Sequence, residues 1–199
     1  MREQLQKDFE NIVKNLTLSQ KDIEIKKFCL DNFINKGFPN RKEEDWRFSD
    51  LSQIIKKNIG ELSFYCDYTS TNKVDTSVFV DGLEHNKIVF INGRIEKIDF
   101  DYEKKNQIEI VDQSETINKF SNNNSLSDLN NAFTNKSFKI LVKKGYKLTK
   151  PLIIYHTTNS KIWSKNINLR LDFELDKDSS LRIIDLFNEN SEKNFLNVF

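Results

Sequence analysis

The residues that could bind a metal or a cluster are few and widely spaced in this chain. There are two cysteines, Cys29 and Cys66, and two histidines, His85 and His156, with no CxxC or HxxxH spacing among them. Zinc sites use closely spaced Cys and His ligands, and an iron–sulfur cluster is commonly held by four thiolates. The sequence therefore predicts no zinc or iron–sulfur site in this chain alone, and two free thiols in a reducing compartment.

The stretch GFPNRKEEDWRFSD, residues 37–50, concentrates charge around a tryptophan. Its paired carboxylates, Glu43 and Glu44, have no matching partner pair for acid–base chemistry. Asn40 and Glu43 have the spacing of a capping box, in which each side chain accepts a hydrogen bond from the backbone of the helix start. The stretch therefore predicts a helix–Gly–Pro–helix corner with solvated charges and with Trp46 buried as an anchor.

The remaining residues of chemical interest favour structural roles. His156 shares a strand face with Leu152 and Ile154, so we expect a partly buried, satisfied histidine rather than a ligand or a proton carrier. Cys29 lies on an apolar helical stripe, and Cys66 has no basic neighbour in sequence, so both are interpreted as small apolar residues. The sequence contains no GxGxxG, Walker A or GxSxG motif. We therefore expect no enzyme, no catalytic residue and no cofactor bound by this chain alone.

Length and composition are those of a folded chain without a strong net charge. The 199 residues are 37% hydrophobic and 31% charged, with a net charge of +1. A chain this close to neutrality has no field that attracts nucleic acid or an acidic membrane. The first residues lack the apolar core of a signal peptide, and no run approaches the ~20 apolar residues of a membrane span. We therefore expect a cytoplasmic protein with neither nucleic acid nor a membrane as its partner.

Helical periodicity marks the beginning of the chain. Over residues 3–16, apolar side chains recur at three- and four-residue steps. A second helix is predicted to begin near Ser19 and to end at Gly37, in the position of a C-cap glycine. Together they predict a helical hairpin, followed by a short third helix from Asn40.

From residue 61 the pattern is that of strands. The Asn92–Gly93 pair between two β-rich runs predicts a type I′ hairpin, in which both residues need positive φ. Residues 121–128 are predicted as a polar loop and residues 129–133 as a short helical turn. Strands are predicted at 61–68, 107–111, 138–142, 151–158, 167–175 and 181–187. Pro151 stands at a strand start, where its missing N–H does least harm.

The predicted strand at residues 167–175 alternates apolar with polar side chains. Leu169, Leu171, Phe173 and Leu175 occupy one face, and polar residues occupy the other. Such alternation predicts a half-buried strand with one solvated face. The short corners between the last strands fit either stacked β-helix coils or a sandwich, and their spacing alone does not separate the two.

Three ordered segments resemble SufD, a family of scaffold proteins in the Suf iron–sulfur assembly system. The stretch at residues 37–51 resembles the family's Gly-x-Pro-x-x-Lys-x-Glu-x-Trp segment, VFINGR its Phe-x-Asn-Gly segment, and residues 129–158 its entry into a β-helix. Asn135–Lys136 departs from the acidic residue and glycine usual in the family. The structural family positions that we predict are Gly37, Pro39, Lys42, Glu44, Trp46, Asn92, Gly93 and Pro151.

The resemblance implies a non-catalytic scaffold subunit. In that family SufD pairs with the related SufB through their β-helices, and each carries one SufC ATPase on its C-terminal region. An iron–sulfur cluster and ATP would therefore belong to the SufBCD complex and not to this chain alone. Family members continue well beyond this length, so the resemblance also implies an N-terminal part. Such a fragment should not bind SufC tightly and should self-associate through its last strands.

The expected fold is α+β, with an N-terminal helical segment (1–60), a β-hairpin or linker region (61–128) and the first coils of a right-handed parallel β-helix (129–199). Two other assignments stay open: a SufB-like scaffold, and a fragment of a β-helix enzyme acting on polysaccharide. The Gly-Phe-Pro to Trp stretch favours SufD over SufB. A groove lined by convergent acidic and basic side chains would favour the enzyme.

Overall fold

The computed structural model has helices together with parallel and antiparallel strands, which confirms the α+β class. It describes residues 2–60, 63–64, 79–113, 124–134, 136–158, 164–188 and 193–198. The helices are α1 (Arg2–Lys14), α2 (Gln20–Lys36), α3 (Leu51–Asn58) and α4 (Ser125–Phe133). The strands are β1 (Ser63–Phe64), β2 (Asn86–Ile91), β3 (Arg94–Asp99), β4 (Ile108–Asp112), β5 (Ser137–Val142), β6 (Leu152–Thr157), β7 (Lys165–Leu175), β8 (Ile183–Phe187) and β9 (Phe195–Val198).

The first two helices confirm the predicted hairpin and share an apolar core with α4. The Ser19 side chain accepts from the N–H of Asp22 and begins α2, while Gly37 ends it with a φ of 74°. The buried face of α1 and the buried face of α2 both pack against α4. Phe133 of α4 lies at the centre of this core, edge-on to Phe9 and stacked on Phe64.

The corner after α2 keeps the predicted capping contacts but not the predicted helix. The N–H of Lys42 donates to Asn40 Oδ1 at 3.0 Å, and the N–H of Asn40 donates to Glu43 Oε1 at 3.2 Å. A single 3-10 turn, Glu44–Trp46, follows instead of a short α-helix. The chain then enters α3.

Trp46 is half-buried, and no residue of its turn is buried, so the prediction of a buried anchor at Trp46 is wrong. The physical reason is the element itself. A 3-10 helix has three residues per turn, so one turn of three residues sends its side chains in three directions and presents no apolar stripe. Glu44, in the same turn, is exposed as predicted.

The strands form two sheets, one in the order β1-β7-β5-β4 with β9 also beside β7, and one in the order β3-β2-β6-β8. The strands predicted at 107–111, 138–142, 151–158, 167–175 and 181–187 are confirmed as β4 to β8. Of the strand predicted at 61–68, Ser63–Phe64 is confirmed as β1, and the rest lies outside the described residues.

The predicted Asn-Gly hairpin is confirmed between β2 and β3, which pair antiparallel. Asn92 and Gly93 have φ values of 54° and 77°, as a type I′ turn requires. Gly93 also lies against β7: a Cβ at this position would come within 2.9 Å of Ile167 Cγ2. The hairpin turn is therefore packed against the strands of the last third of the chain.

Strands in the last third pair in parallel with a nearly constant sequence offset. β5 pairs with β7 at an offset of 33 residues (Ser137 with Arg170), β6 with β8 at 31, and β7 with β9 at 29. Each strand therefore lies beside the one that precedes it by about 30 residues. β2 extends the series, because it pairs in parallel with the other side of β6.

The predicted alternation in β7 is wrong in part. In its first half both faces are buried, including Asn168 and Arg170, which were expected to face solvent. In its second half Phe173 and Leu175 are exposed. The first half is covered because it pairs with β1 and β9 and receives a hydrogen bond from α4, whereas the second half pairs with β5. Neighbouring elements, and not the period of the strand, set its burial.

The polar loop predicted at 121–128 is wrong in its second half, because α4 begins at Ser125. Asn124 caps this helix by accepting from the N–H of Leu126 at 2.8 Å. Residues 121–123 lie outside the described ranges. The division into segments 1–60, 61–128 and 129–199 stays a prediction; its second boundary falls within α4, which packs against α2.

Candidate functional site

One end of the strand assembly consists of segments with a strand partner on one side only. Within the described residues these are residues 170–175 of β7, which pair with β5; β8, which pairs with β6; and β9, which pairs with β7. We call these three segments the open edge. Each presents a row of backbone N–H and C=O groups away from its partner, and such a row can pair with a further strand.

The open edge also exposes large apolar side chains. The exposed fractions are 55% for Phe187, 50% for Leu175, 39% for Ile183 and Ile184, and 37% for Phe173. Apolar side chains grouped at one end of a molecule mark interaction sites, whereas single scattered ones need no explanation. The open edge can therefore bind a further strand through backbone pairing and apolar contact together.

His156 lies directly beneath the open edge in an aromatic stack. Its ring is buried between Phe90 and Phe187, with ring centroids 5.4 and 4.6 Å away and nearly parallel planes. His156 Nε2 donates to Asp185 Oδ1 at 3.2 Å, since an ionised carboxylate can only accept. This contact confirms the expectation of a satisfied histidine for Nε2, and His156 is more deeply buried than predicted. The stack links β2, β6 and β8 in register.

Charged side chains on β4, β5 and β7 pair across the strands. Lys136 contacts Asp112, Lys139 contacts Glu174 and Lys143 contacts Glu109, with N···O distances of 3.2, 2.7 and 2.8 Å. All six side chains are partly exposed, so each pair contributes little stability. Because these acids and bases neutralise one another in pairs, they do not resemble the convergent groups that polysaccharide chemistry needs.

Lys26 is a buried charge that the sequence reasoning missed. Its Nζ donates to the carbonyl oxygens of Asn131 (3.1 Å), Ala132 (3.4 Å) and Thr134 at the end of α4. Burial lowers the pKa of Lys26 to about 8, although the charges of Cys29 and Asp22 oppose the shift. A signal was present in the sequence, because Lys26 shares the helical spacing of the buried Leu30 and Phe33.

A second polar group is buried between α4 and the strands. Asn130 donates to the carbonyl oxygens of Leu169 and Asn197 at 3.1 and 2.8 Å, and Asn197 donates to Asn168 Oδ1 at 3.1 Å. Arg170 reaches Asn131 Oδ1 at 3.2 Å. These contacts fasten α4 across β7 and β9. No local pattern predicts them, because their partners lie 29 to 67 residues apart.

Glu103 ties the turn before β6 to the start of β2. Burial alone would raise the pKa of Glu103, but hydrogen bonds from Tyr146, Asn86 and the backbone of Lys150 and Thr149 outweigh it and lower the pKa. Tyr146 and Asn86 lie 2.7 and 2.8 Å from the carboxylate. This cluster positions the strand that carries His156.

The structural family positions fall in two places. In the corner, Pro39 is buried, its carbonyl accepts from the N–H of Leu51, and Lys42 is exposed. In the sheet, the N–H of Asn86 donates to the Pro151 carbonyl at 2.9 Å at one end of the β2–β6 pair, and the N–H of Asn92 donates to the Thr157 carbonyl at 3.0 Å at the other. The sheet positions therefore fix the register of β2 on β6.

The remaining candidate ligands do not come together. Cys29 is a buried free thiol, and Cys66 lies outside the described residues. His85 is buried beside β6, where its Nε2 contacts the Tyr155 hydroxyl at 2.7 Å. In the described part of the chain no three Cys, His, Asp or Glu residues are grouped as metal ligands.

The sequence matches no protein-family model and no curated protein at a significant level. Among the helices that the structure describes, none is both long enough and apolar enough to cross a membrane.

Proposed function

We propose that the chain is a SufD-like scaffold for iron–sulfur cluster assembly, built on the first coils of a right-handed parallel β-helix. The observation that supports this most is the constant offset of 33, 31 and 29 residues between parallel partners. Stacked coils have this property because each strand lies on the equivalent strand of the previous coil. Parallel strands joined by a crossover are nearly always wound with the right hand, which supports the proposed handedness.

The open edge supplies the surface that a scaffold of this kind needs. Its unpaired backbone and its exposed Ile183 and Phe187 suit strand-to-strand pairing with a related β-helix subunit. The partner in the proposal is SufB, and the SufC-type ATPase joins the full complex. The iron–sulfur cluster and ATP are handled by that complex in the cytoplasm, and the chain itself acts without catalysis.

Co-purification with the SufB protein of the same genome tests the proposal. We expect the tagged chain to capture SufB in a stoichiometric complex. Ile183→Asp, which places a charge on the open edge at β8, should abolish capture. Ile98→Asp is the matched control, because Ile98 is an exposed isoleucine on β3, at the opposite edge of the same sheet.

Two outcomes would refute the proposal: a folded chain that captures no SufB, or capture that survives Ile183→Asp unchanged. SufC alone should not co-purify with the chain, since the resemblance places that contact in a C-terminal region. Anaerobic reconstitution of the chain alone with iron and sulfide should leave no protein-bound chromophore after desalting. A chromophore lost in both Cys29→Ser and Cys66→Ser would contradict the scaffold role as stated.

A further inference from the structure

A cleft of about 590 Å³ lies between α1, α3 and β1, away from the open edge. Its floor is apolar and comes from four elements: Leu5 of α1, Phe33 of α2, Ile55 of α3 and Phe64 of β1, all of them buried. Ile55 belongs to none of the apolar clusters formed by described residues, so its buried side chain faces the cleft rather than the helical core. A volume of this size with an apolar lining and a few polar groups is typical of small-molecule sites.

The rim of the cleft carries a small excess of positive charge. Lys7 of α1 and Lys56 of α3 both line it, as does Glu3, which leaves a net charge of +1. Neither lysine forms an ion pair with any residue that the structure describes. An exposed ammonium beside an apolar cavity attracts an anionic head group whose chain enters the cavity. The charge of the rim matches one negative charge rather than two.

We propose that this cleft binds a single-chain amphiphile with one carboxylate. Its apolar chain lies on Leu5, Phe33, Ile55 and Phe64, and its carboxylate lies at the rim between Lys7 and Lys56. Burial of the chain supplies most of the affinity because apolar area leaves water. The two lysines select the sign of the head group. This function is separate from strand pairing at the open edge.

Calorimetric titration of the purified chain with sodium dodecanoate, below its micelle concentration, tests the proposal. We expect saturable binding of one molecule per chain. Dodecyltrimethylammonium, which has the same chain and the opposite charge, should bind at least about tenfold more weakly. Acetate, which has the head group without the chain, should not bind. Equal affinity for the two dodecyl compounds, or no saturable dodecanoate binding, would overturn the proposal.

Three variants locate the site. Ser52→Trp places a large side chain on the lining of the cleft and should abolish dodecanoate binding. Lys7→Gln together with Lys56→Gln should weaken it about tenfold and remove the preference for the anion. Lys57→Gln, an exposed lysine on α3 that is not among the lining residues, should leave binding unchanged. Each variant is exposed at its position, and a thermal melt equal to that of the wild type shows that it is folded.

Binding that persists in Ser52→Trp would place the ligand elsewhere and overturn the assignment of the cleft. Co-sedimentation with phosphatidylglycerol vesicles in the absence of dodecanoate binding would indicate a membrane surface as the source of the anionic group, and would equally overturn it. Since Ser52, Lys7 and Lys56 are remote from β8, SufB capture should be the same in all three variants.

Discussion

At the scale of single residues, Lys26 is the least conventional feature of the molecule. It is almost fully buried, and three backbone carbonyls at the end of α4 receive its ammonium group. These carbonyls carry the negative end of the helix dipole, so they stabilise the charge in place of a carboxylate. The contact joins α2 to an element more than 100 residues later. Lys26 therefore ties the helical hairpin to the strands.

The lowered pKa of Lys26 makes the stability of the fold depend on pH. Between about pH 8 and the ordinary pKa of 10.5, the unfolded chain holds a proton that the folded chain has released. The free energy of unfolding therefore rises with pH, by about 2 kcal/mol between roughly pH 7.5 and pH 9.5. Urea denaturation at the two pH values measures the rise.

Lys26→Met should remove this rise, and Lys27→Met, which changes an exposed lysine on the same helix, should retain it. The comparison between the two variants cancels the titration of the other lysines and tyrosines. A rise that stays the same in Lys26→Met would show that another group is responsible.

Trp46 gives a second prediction at this scale. Since it is half-buried, Trp46→Ala should cost about 1 kcal/mol, clearly less than the ~3–5 kcal/mol expected for truncating the fully buried Phe33. Glu44→Ala should change stability by less than about 0.5 kcal/mol, because its ion pair with Arg47 is exposed. Denaturant titration measures all three. A Trp46→Ala cost equal to that of Phe33→Ala would restore the buried anchor.

At the scale of elements, the sequence predicts well whatever is decided locally. The cap at Ser19, the stop at Gly37 and the Asn92–Gly93 turn are each set by the preferences of a few neighbouring residues, and all three are confirmed. The burial of β7 is different, because it depends on β1, β9 and α4, which are remote in sequence. For the same reason the alternation of β7 predicts its strand character but not which side chains are covered.

Gly93 tests the packing of the hairpin turn on β7. Gly93→Ala should destabilise the fold in two ways: its positive φ strains a side chain, and the new Cβ would lie 2.9 Å from Ile167 Cγ2. Gly145→Ala is the matched control, since Gly145 has a φ of 72° but no atom within 4 Å of the new Cβ. We expect Gly93→Ala to cost at least about 1 kcal/mol more in urea denaturation. Equal costs would mean that the turn is not packed against β7.

At the scale of the whole molecule, the arrangement of the strands was predicted through the resemblance and not through their pattern. The period of the strands fits a sandwich as well as stacked coils, because both need short strands with short corners. Only the parallel partners, about 30 residues apart, favour coils. The open edge was located in sequence at the last strands, but the exposure of Phe173 and Leu175 was not, because the alternation of β7 placed them on its buried face.

The open edge leads us to predict self-association of the chain in the absence of its partner. Unpaired strands with exposed apolar side chains pair readily with one another. Sedimentation velocity should show a mass that increases with concentration. Phe173→Glu, on the open edge, should suppress this increase. Val111→Glu should not, because Val111 is an exposed apolar residue on β4, at the far edge of the same sheet. A monomer at high concentration in the wild type would contradict the prediction.

The central claim is that consecutive strands lie in parallel, one coil apart, since the open edge and the pairing with SufB both depend on it. Nuclear Overhauser contacts between backbone protons of the isotope-labelled protein test this directly. We predict parallel-strand contacts between the residues around Ile140 and Phe173 and between those around Ile154 and Asp185. Antiparallel contacts joining β7 to β8 as a hairpin, with none between β5 and β7, would contradict the account.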